Sequence, residues 1–388
     1  MSKFKVKPVK VLRNSVIILV VLYLALFALT KAVRYPEPIS TIRLGLAPAS
    51  KTPDLMPAHT FSASPATVKK IAIGTQENPQ NVTWYDKKVS LQEFFDATNT
   101  NAFMIIRDGK ITYEKYFNGN SESSRLPSYS VAKTMTSIMI GQLIEQGRLL
   151  ESDKFVDLLP EFKAGTSFDK ITIRQLLDMQ AGVGVSDNYP TGPSGWGVAI
   201  AQMYGGTDVN WFLMHNRKMA TEPGKESEYR SVETQMLGMV IKKITGERVS
   251  DYFSREVWQK VGAEFDGTWN VDHINGTEKT FCCFNAAARD YAKVGLELLK
   301  PKSDVVSPHW LKRLATPVVT LDRNWGYSAQ IWHPTPDVMM FLGLHGQYIY
   351  VDPARQTVIV KSSDEPTNNG DNELWTAKVL REISLKQY

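Results

Sequence analysis

Cysteine is nearly absent from this chain, and the two cysteines that it has are adjacent. Cys282 and Cys283 cannot join distant elements through disulfides, and two thiols do not supply the ligands of a structural zinc site. The histidines, among them His215, His273 and His333, show no ligand spacing. We therefore expect no metal and no cofactor, a fold held by its hydrophobic core, and small buried packing as the role of both cysteines.

The body of the chain also lacks a strong charge of one sign. The formal net charge is +5, but seven of the 45 basic residues lie before residue 35, and none of the 40 acidic residues does. Residues 35–388 are left with 38 basic and 40 acidic groups, a net charge of about −2. A nearly neutral body gives no reason to expect nucleic acid as a partner.

One long apolar run is present, near the N-terminus. Residues 16–29 are apolar throughout, and five basic residues precede them. The uncharged stretch of residues 14–30 corresponds to roughly 25 Å of helix, at the short limit for a membrane span. The basic flank stays in the cytoplasm, which places the body in the periplasm. No clean small-x-small cleavage site follows the apolar run, and residues 47–49, which have that form, lie too far downstream, so the sequence favours a single-pass inner-membrane anchor. Secretion to the periplasm after cleavage is the alternative.

Composition predicts three parts. Residues 1–34 form the basic tail with the transmembrane or signal-anchor segment. Residues 35–84 are rich in Pro, Ser, Thr and Ala without strong periodicity, which indicates a linker or a draped arm. Residues 85–388 form the body, with a helical subdomain at about 150–285. There is no internal repeat.

The body begins and ends with strand patterns. Apolar runs at 103–106 and 111–113 flank Asp108-Gly109, a strong signal for a hairpin turn. Further strands are expected at 338–344, 348–351 and 357–361. Helices are expected after Ser130 and over 231–246, 286–299 and 373–385. Strands at both ends of a helical middle predict an α+β fold with one mainly antiparallel sheet, and a site between the sheet and the helical insert.

The chemical hypothesis starts from Ser130 and Lys133. Three residues apart at the start of a helix, they lie on one face, one turn from each other. A serine beside a lysine is a way to make a nucleophile without histidine. The same Ser-x-x-Lys spacing occurs at Ser2 and Ser167, but Ser130 alone opens a long helical pattern, which Gly147 ends.

A serine–lysine pair needs a proton relay, and Tyr229 is the best candidate. It follows a Pro-Gly turn and directly precedes a helix that begins near Ser231, so it can sit on a rigid loop. A tyrosine near an ammonium can be stabilised as phenolate and act as a base. Tyr116 and Tyr252 offer similar local patterns, but the first is at a strand end and the second inside a helix, where packing roles are expected.

The pair also needs an oxyanion hole, for which a late strand with glycine is suitable. Gly346 would let a substrate approach the backbone, and the amide of Gln347 could act with that of Ser130. A structural glycine at a strand bulge is the equal alternative. His345 could contact substrate or form a structural hydrogen bond.

These motifs, in this order, resemble those of the β-lactamase-related serine hydrolases. That superfamily includes class C β-lactamases, DD-peptidases, family VIII esterases and 6-aminohexanoate-dimer hydrolases, and this chain looks most like the last branch. The resemblance covers about residues 85–385 and implies a β-lactamase/transpeptidase-like fold. It implies that Ser130 is acylated, that Lys133 holds the relay and lowers the pKa of Tyr229, and that Tyr229 protonates the leaving group. It further implies that the amides of Ser130 and Gln347 bind the oxyanion.

The chain departs from that pattern at two places. Leu344-His345-Gly346 stands where penicillin-recognising enzymes usually have Lys-Thr-Gly, and Ser231 replaces the usual asparagine. Both changes favour an amidase or esterase acting on a small-molecule or peptide-like substrate. Tyr189 loosely matches a substrate-contacting tyrosine of the dimer hydrolases, although surface packing is an alternative. The expected substrate-binding residues are thus Ser231, His345, Gly346 and Tyr189.

The leading prediction is a membrane-anchored serine hydrolase that cleaves an amide or ester bond through a Ser130 acyl-enzyme. One alternative is a penicillin-recognising enzyme of the DD-peptidase or β-lactamase type. The other is a catalytically silent binding protein of the same fold. The sequence does not fix an oligomeric state.

Overall fold

The structure, a computed structural model, describes residues 8–187, 199–366, 371–386 and 388. Its α-helices are α1 Pro8–Ala32, α2 Pro38–Leu46, α3 Leu91–Ala97, α4 Val131–Glu145, α5 Phe155–Leu158, α6 Ile173–Leu177, α7 Ala199–Gly205, α8 Val209–His215, α9 Ser231–Thr245, α10 Val249–Phe253, α11 Gln259–Val261, α12 Ala288–Glu297, α13 Pro308–Ala315 and α14 Asn372–Leu385. Its strands are β1 Ala58–Phe61, β2 Ala72–Ile73, β3 Asn81–Trp84, β4 Lys87–Ser90, β5 Thr100–Arg107, β6 Lys110–Tyr116, β7 Leu126–Pro127, β8 Gly267–Asn270, β9 Phe284–Ala286, β10 Val319–Thr320, β11 Gly326–Ser328, β12 Ile331–His333, β13 Met339–Gly343, β14 Gln347–Asp352 and β15 Thr357–Ser363.

A nine-stranded sheet organises the body. Its order is β10-β11-β12-β13-β14-β15-β5-β6-β2, and every pair is antiparallel except β2 with β6. The early hairpin therefore lies beside the last strand, because β15 pairs with β5. A small sheet, β1-β8-β9-β7, lies apart from it. The predicted α+β class with a mainly antiparallel sheet is confirmed.

The predicted hairpin at Asp108-Gly109 is present. Both turn residues have positive φ, +48° and +73°, as a type I′ turn requires. Strand β5 beyond it is buried on both faces. Met104 and Ile106 pack with the helical layer that contains α4 and α9, while Phe103 and Ile105 pack with the layer that contains α3 and α14. The sheet is thus the middle layer of the body.

Helix α4 is the central helix of the body, with most of its residues buried. A helix that is buried on nearly all sides, with polar residues such as Lys133 and Thr136 included, lies in the interior of a domain. Gly141 on this helix allows α13 to approach, because a Cβ there would lie 2.4 Å from the ring of Trp310. The neighbouring α9 packs on α4 and ends at Gly246, whose φ of +76° makes a left-handed cap. Helices α4 and α9, which follow Ser130 and Tyr229 in the sequence, are therefore packed directly against each other.

Residues 35–84 are more ordered than their composition indicates. They contain α2, a 3-10 segment at Ala49–Leu55 and three short strands. β1 joins the small sheet through β8, and β2 joins the edge of the large sheet through β6. Pairing with distant strands supplies the order that local periodicity does not, so this arm is a layer of the body surface.

Candidate active site

Ser130 is held at the start of α4 by a strained backbone. The preceding residue, Tyr129, has a φ of +43°, which is uncommon for a residue with a side chain and is typical of functional sites. Ser130 is the N-cap of α4, but its hydroxyl does not cap the helix. It accepts a hydrogen bond from the amine of Lys133 at 2.9 Å instead. The hydroxyl therefore points at the lysine rather than at the backbone.

Lys133 is buried, and its amine has three acceptors. Besides the Ser130 oxygen, Nζ donates to Oγ of Ser231 at 2.8 Å and to the carbonyl oxygen of Phe281 at 2.9 Å. An ammonium has three N–H donors, so all of them are used. The lysine is thereby fixed between α4, the start of α9 and the loop before β9.

The surroundings of Lys133 make its amine easier to deprotonate. Burial lowers the pKa of Lys133 from 10.5 to about 8, and the negative charge of Asp187 opposes that shift. A substantial fraction of the amine is then neutral near pH 8. Such an amine can take a proton from the serine that it contacts.

Tyr229 lies beside the same amine. Its ring centroid is 4.9 Å from Nζ of Lys133, a cation–π distance. The ring packs against Trp332 and Tyr327 on the large sheet, with centroids 5.2 and 6.1 Å away. The structure thus brings together the hydroxyl of Ser130, the amine of Lys133 and the aromatic ring of Tyr229, which are far apart in the sequence.

Asp187 is a site residue that sequence reasoning missed. Its carboxylate accepts the backbone N–H of Ser231 at 2.7 Å and also the hydroxyl of Ser231, which in turn contacts Lys133. A carboxylate at the start of a fifteen-residue helix is favourable. Burial raises the pKa of Asp187 while Lys133 and Ser231 hold it down. Nothing in its loop sequence marked it, because its partners lie more than 40 residues away.

The Phe281 carbonyl was also missed, since a backbone oxygen carries no sequence signal. The ring of Phe281 is 5.7 Å from the Lys133 amine, so this residue covers the amine as well as bonding to it. The adjacent Cys282 and Cys283 are buried, as expected for packing residues, and they are bonded to each other. This bond, which the sequence analysis did not predict, lies in the loop that presents Phe281.

The end of strand β13 lies close to Ser130. A Cβ on Gly343, at its end, would lie 3.1 Å from the amide nitrogen of Ser130 and 2.3 Å from the carbonyl oxygen of Ser128. Gln347 pairs with Gly343 from the next strand, and its side chain bonds to the Ser363 carbonyl. The contact between Ser130 and the sheet therefore requires glycine at 343. An oxyanion role for the Gln347 amide stays a prediction.

His345 and Gly346 form the turn between β13 and β14. Both have positive φ, +61° and +78°. Nδ1 of His345 lies 2.7 Å from the carbonyl oxygen of Glu365, and the ring packs edge-on against Tyr129 at 4.8 Å. Burial lowers the pKa of His345, so the neutral ring is favoured at pH 7. A Cβ on Gly346 would lie 2.8 Å from the carboxyl group of Glu365, and the φ of +78° also disfavours a side chain, so the local structure explains this glycine without a substrate.

The remaining candidates are elsewhere or not described. Tyr116 donates to the carboxylate of Glu114 on its own strand, and Tyr252 is buried in α10. Ser167 begins a short 3-10 segment. Tyr189 lies outside the described residues, as does Ser2. Among the residues that the structure describes, no group of three or more His, Cys, Asp or Glu is placed to hold a metal ion.

Comparison with known proteins identifies the family to which the chain belongs. A family model described as Beta-lactamase matches residues 92–382. The 6-aminohexanoate-dimer hydrolase of Paenarthrobacter ureafaciens is 26% identical over 310 residues, which cover 74% of this chain and 77% of that protein. The family model begins to match at residue 92, so the N-terminal helix lies outside the matched region.

Solved structures give the same fold. A protein of Bacillus anthracis, provisionally named a 6-aminohexanoate-dimer hydrolase, superimposes with a TM-score of 0.77 and 23% identity over 90% of this chain and 94% of its own. A family VIII carboxylesterase gives a TM-score of 0.58 and 17% identity over 75% of this chain and 94% of its own. At these identities the structural likeness establishes the fold alone.

Proposed function

This chain belongs to the beta-lactamase family, and from that premise we propose that it is a membrane-anchored serine hydrolase that cleaves an amide or ester bond through a Ser130 acyl-enzyme. The observation that carries the proposal is the position of the Lys133 amine. It contacts the Ser130 hydroxyl at 2.9 Å and lies 4.9 Å from the centre of the Tyr229 ring. Nucleophile, base and acid are thus neighbours.

Acylation follows from these contacts. The Ser130 oxygen attacks the carbonyl carbon of the substrate, and its proton passes to the Lys133–Tyr229 pair. When the tetrahedral intermediate collapses, Tyr229 gives a proton to the departing nitrogen or oxygen, so that an amine or alcohol leaves and an ester to Ser130 remains. Water then attacks this ester, and its proton passes through the same pair to the Ser130 oxygen. A carboxylic acid is released and the serine hydroxyl is restored.

The developing oxyanion needs two donors. The amide of Ser130, at the start of α4, is one, because the first N–H groups of a helix have no intrahelical partner. The second is an amide from the β13–β14 edge. Gln347 is the residue that the motif predicts, while the position of Gly343, where an added Cβ would lie 3.1 Å from the Ser130 amide nitrogen, favours a donor nearer the end of β13. Substitution at Gly343 distinguishes the Gln347 amide from an amide at the end of β13 as the second donor.

The substrate class follows from the turn after β13. Leu344-His345-Gly346 offers no lysine ammonium to hold a substrate carboxylate, and His345 is bonded to the Glu365 carbonyl and favoured in its neutral form. A penicillin-type substrate carries such a carboxylate. An amide or ester substrate that needs no lysine ammonium at this turn fits better. The name of the relative from Paenarthrobacter ureafaciens, 6-aminohexanoate-dimer hydrolase, supports an amide as the bond that is cleaved. Such a dimer also has a terminal carboxylate, which a group other than a lysine of this turn would hold.

Helix α1 is the proposed anchor. Within the described residues, Lys10–Ala32 is long and apolar enough to cross a membrane, and none of its apolar stretch is buried in the body. A signal sequence passes the same test, so single-pass insertion is the proposal and cleavage its alternative. The basic N-terminal flank supports a periplasmic position for the catalytic domain.

A fluorophosphonate activity probe tests the chemistry. We expect the wild-type chain to be labelled and Ser130→Ala to be unlabelled. Ser167→Ala is the matched control, because Ser167 stands in the same Ser-x-x-Lys spacing outside the site and should label normally. A screen of p-nitrophenyl esters, short amides and nitrocefin then assigns the substrate class. Labelling that survives in Ser130→Ala would refute the nucleophile, and nitrocefin turnover would favour the penicillin-recognising alternative.

A further inference from the structure

Helix α2 has an apolar face that nothing in the described structure covers. Ile39, Ile42 and Leu46 lie at helical spacing on one side, with 55%, 50% and 80% of their surfaces exposed. Leu44, on another side of the helix, faces the body, where a Cβ on Gly205 would lie 3.9 Å from its methyl group. The orientation of α2 is therefore fixed, and its apolar side faces outward.

The short link to α1 determines what this face meets. Only residues 33–37 separate Ala32, the end of α1, from Pro38, the start of α2. The hydroxyl of Tyr23 on α1 donates to the Glu37 carboxylate at 3.1 Å. Tyr23 is nine residues, or about 14 Å, before the end of α1, so this bond folds the start of α2 back along the C-terminal half of α1. If α1 spans the membrane, the five-residue link and this bond keep α2 in the periplasmic-side leaflet or at its surface.

The charges around α2 fit the same surroundings. Lys31, Arg34 and Arg43, all close to α2 in the sequence, are exposed, and Arg43 lies at the edge of the apolar face next to Ile39. A helix with apolar and basic residues on its outer side is typical of one that lies in the plane of a membrane containing anionic lipid. The aliphatic part of an arginine can lie along the apolar layer while its guanidinium reaches the headgroups.

The body holds the segment around α2 at both ends. Before α2, the carbonyl oxygen of Arg34 accepts the backbone N–H of Thr207 at 2.7 Å, and that of Val33 accepts from the Gln202 side chain at 2.8 Å. After α2, the amide and hydroxyl of Ser50 donate to the Asp364 carboxylate at 2.6 and 2.7 Å. Helix α2 is therefore part of the domain surface.

This surface adjoins the active site. The hydroxyl of Thr52, just after α2, is 3.2 Å from that of Tyr129, the residue before Ser130. The ring of Tyr204, on α7, lies 6.3 Å from the ring of Tyr129. The segments that hold α2 thus also form one wall next to the nucleophile.

We propose that α2 lies in the headgroup layer of the same bilayer that α1 spans, with Ile39, Ile42 and Leu46 inserted, and that this contact holds the Ser130 site at the membrane surface. The lipid bilayer is the partner. The inference rests on the membrane anchoring proposed above, and it is independent of the hydrolytic chemistry.

Lipid photolabelling of the unmodified chain tests the contact. The protein is reconstituted in vesicles of phosphatidylethanolamine and phosphatidylglycerol that contain a lipid with a diazirine in its acyl chain, and it is irradiated and digested with trypsin. Cleavage after Arg34, Arg43 and Lys51 separates peptides 35–43 and 44–51 from the α1 peptide 14–31. We expect lipid adducts on all three peptides and none on peptide 111–115 in strand β6.

The outcomes separate the two proposals. Adducts confined to peptide 14–31 would overturn the α2 contact and leave the anchor intact. A chain that alkaline carbonate releases from the vesicles, with no adduct on peptide 14–31, would overturn the anchor and the α2 contact together. A concentration-dependent dimer without adducts on 35–43 would show that a second copy covers this face, which also overturns the proposal.

A triple variant gives a second measurement. Replacement of Ile39, Ile42 and Leu46 by serine should lower the adducts on peptides 35–43 and 44–51 at least tenfold, with labelling of 14–31 and hydrolysis of a soluble ester unchanged. Ile274→Ser is the control, because Ile274 is 78% exposed and lies in the loop after β8. Undiminished adducts on both peptides in the triple variant would contradict insertion of this face.

Discussion

The amine of Lys133 lies 2.9 Å from the hydroxyl oxygen of Ser130, one helical turn earlier on α4. Both residues are on the same helix, so this relationship is set locally. The partners that make it chemically useful, Ser231 and the Phe281 carbonyl, come from elements 98 and 148 residues away. The helix provides the pair, and the tertiary structure provides its burial and charge.

Lys133→Arg should abolish most activity although it keeps a positive charge. A guanidinium does not deprotonate in the range where proteins are stable, so it cannot take the serine proton. We expect kcat/KM to fall by about 10²- to 10⁴-fold, the usual contribution of a general base. Steady-state hydrolysis of the best ester from the screen measures this, with Lys170→Arg, the lysine of the Ser167 spacing, as the control. Activity within tenfold of wild type would rule out proton transfer to Lys133.

The acidic limb of the pH–activity profile should report the pKa of Lys133. Because burial lowers the pKa of Lys133 to about 8, the neutral amine is scarce below that pH and abundant above it. Acylation should therefore rise as pH passes through about 8 and then level off. The rate of labelling by the fluorophosphonate probe as a function of pH gives the profile. A rate that falls over this interval would show that the ammonium is the active form.

Asp187→Asn should move that limb to lower pH. The negative charge of Asp187 raises the pKa of Lys133, so its removal leaves burial unopposed and lowers the pKa of Lys133 further. Asparagine keeps an oxygen for the Ser231 backbone N–H, which retains the helix cap. Asp187→Ala is the matched comparison, since it loses both the charge and the cap and should also cost about 1 kcal/mol of stability. An unmoved limb in Asp187→Asn, with unchanged folding, would show that this carboxylate does not act on the lysine.

Tyr229→Phe should remove catalysis and leave the fold unchanged. The ring contacts with Trp332 and Tyr327 need no hydroxyl, so thermal unfolding should stay within a few degrees of wild type. Loss of the proton donor should lower kcat by about 10²- to 10⁴-fold, more for amides than for esters with good leaving groups. Tyr116→Phe controls for the general effect of removing a phenol. Equal losses on both substrate types would contradict a role in leaving-group protonation.

Gly343→Ala distinguishes the two candidate strand donors. A Cβ at 343 would lie 2.3 Å from the Ser128 carbonyl oxygen, so β13 must move away from Ser130. We expect a loss of kcat of about 10²- to 10³-fold, comparable to loss of an oxyanion donor, with about 1–3 kcal/mol of destabilisation. Gly346→Ala strains the turn beside Gln347 and Glu365 and serves as the comparison. A larger kcat loss in Gly346→Ala at equal stability would favour the Gln347 amide.

Several elements were predictable because local signals were sufficient. The Asp108-Gly109 turn, the helix that starts after Ser130 and the helix that ends at Gly246 agree with the sequence to within a residue or two. The residues that form this turn and these helix ends act through contacts with residues only a few positions away. The arm at 35–84 was not predictable in this way, because β1 and β2 are ordered by pairing with strands remote in the sequence.

The sequence by itself determined the α+β class, the membrane-type helix near the N-terminus, and the order in which Ser130, Lys133 and Tyr229 occur. These depend on periodicity, composition and short spacings, which are properties of neighbouring residues. Only the tertiary structure decided that Asp187 and the Phe281 carbonyl surround the lysine, that Gly343 lies close to Ser130, and that the arm after α1 lies beside the site. Burial and electrostatic environment depend on which distant segments meet, and the segments that meet here are held together by the sheet and the two packed helices rather than by any local pattern.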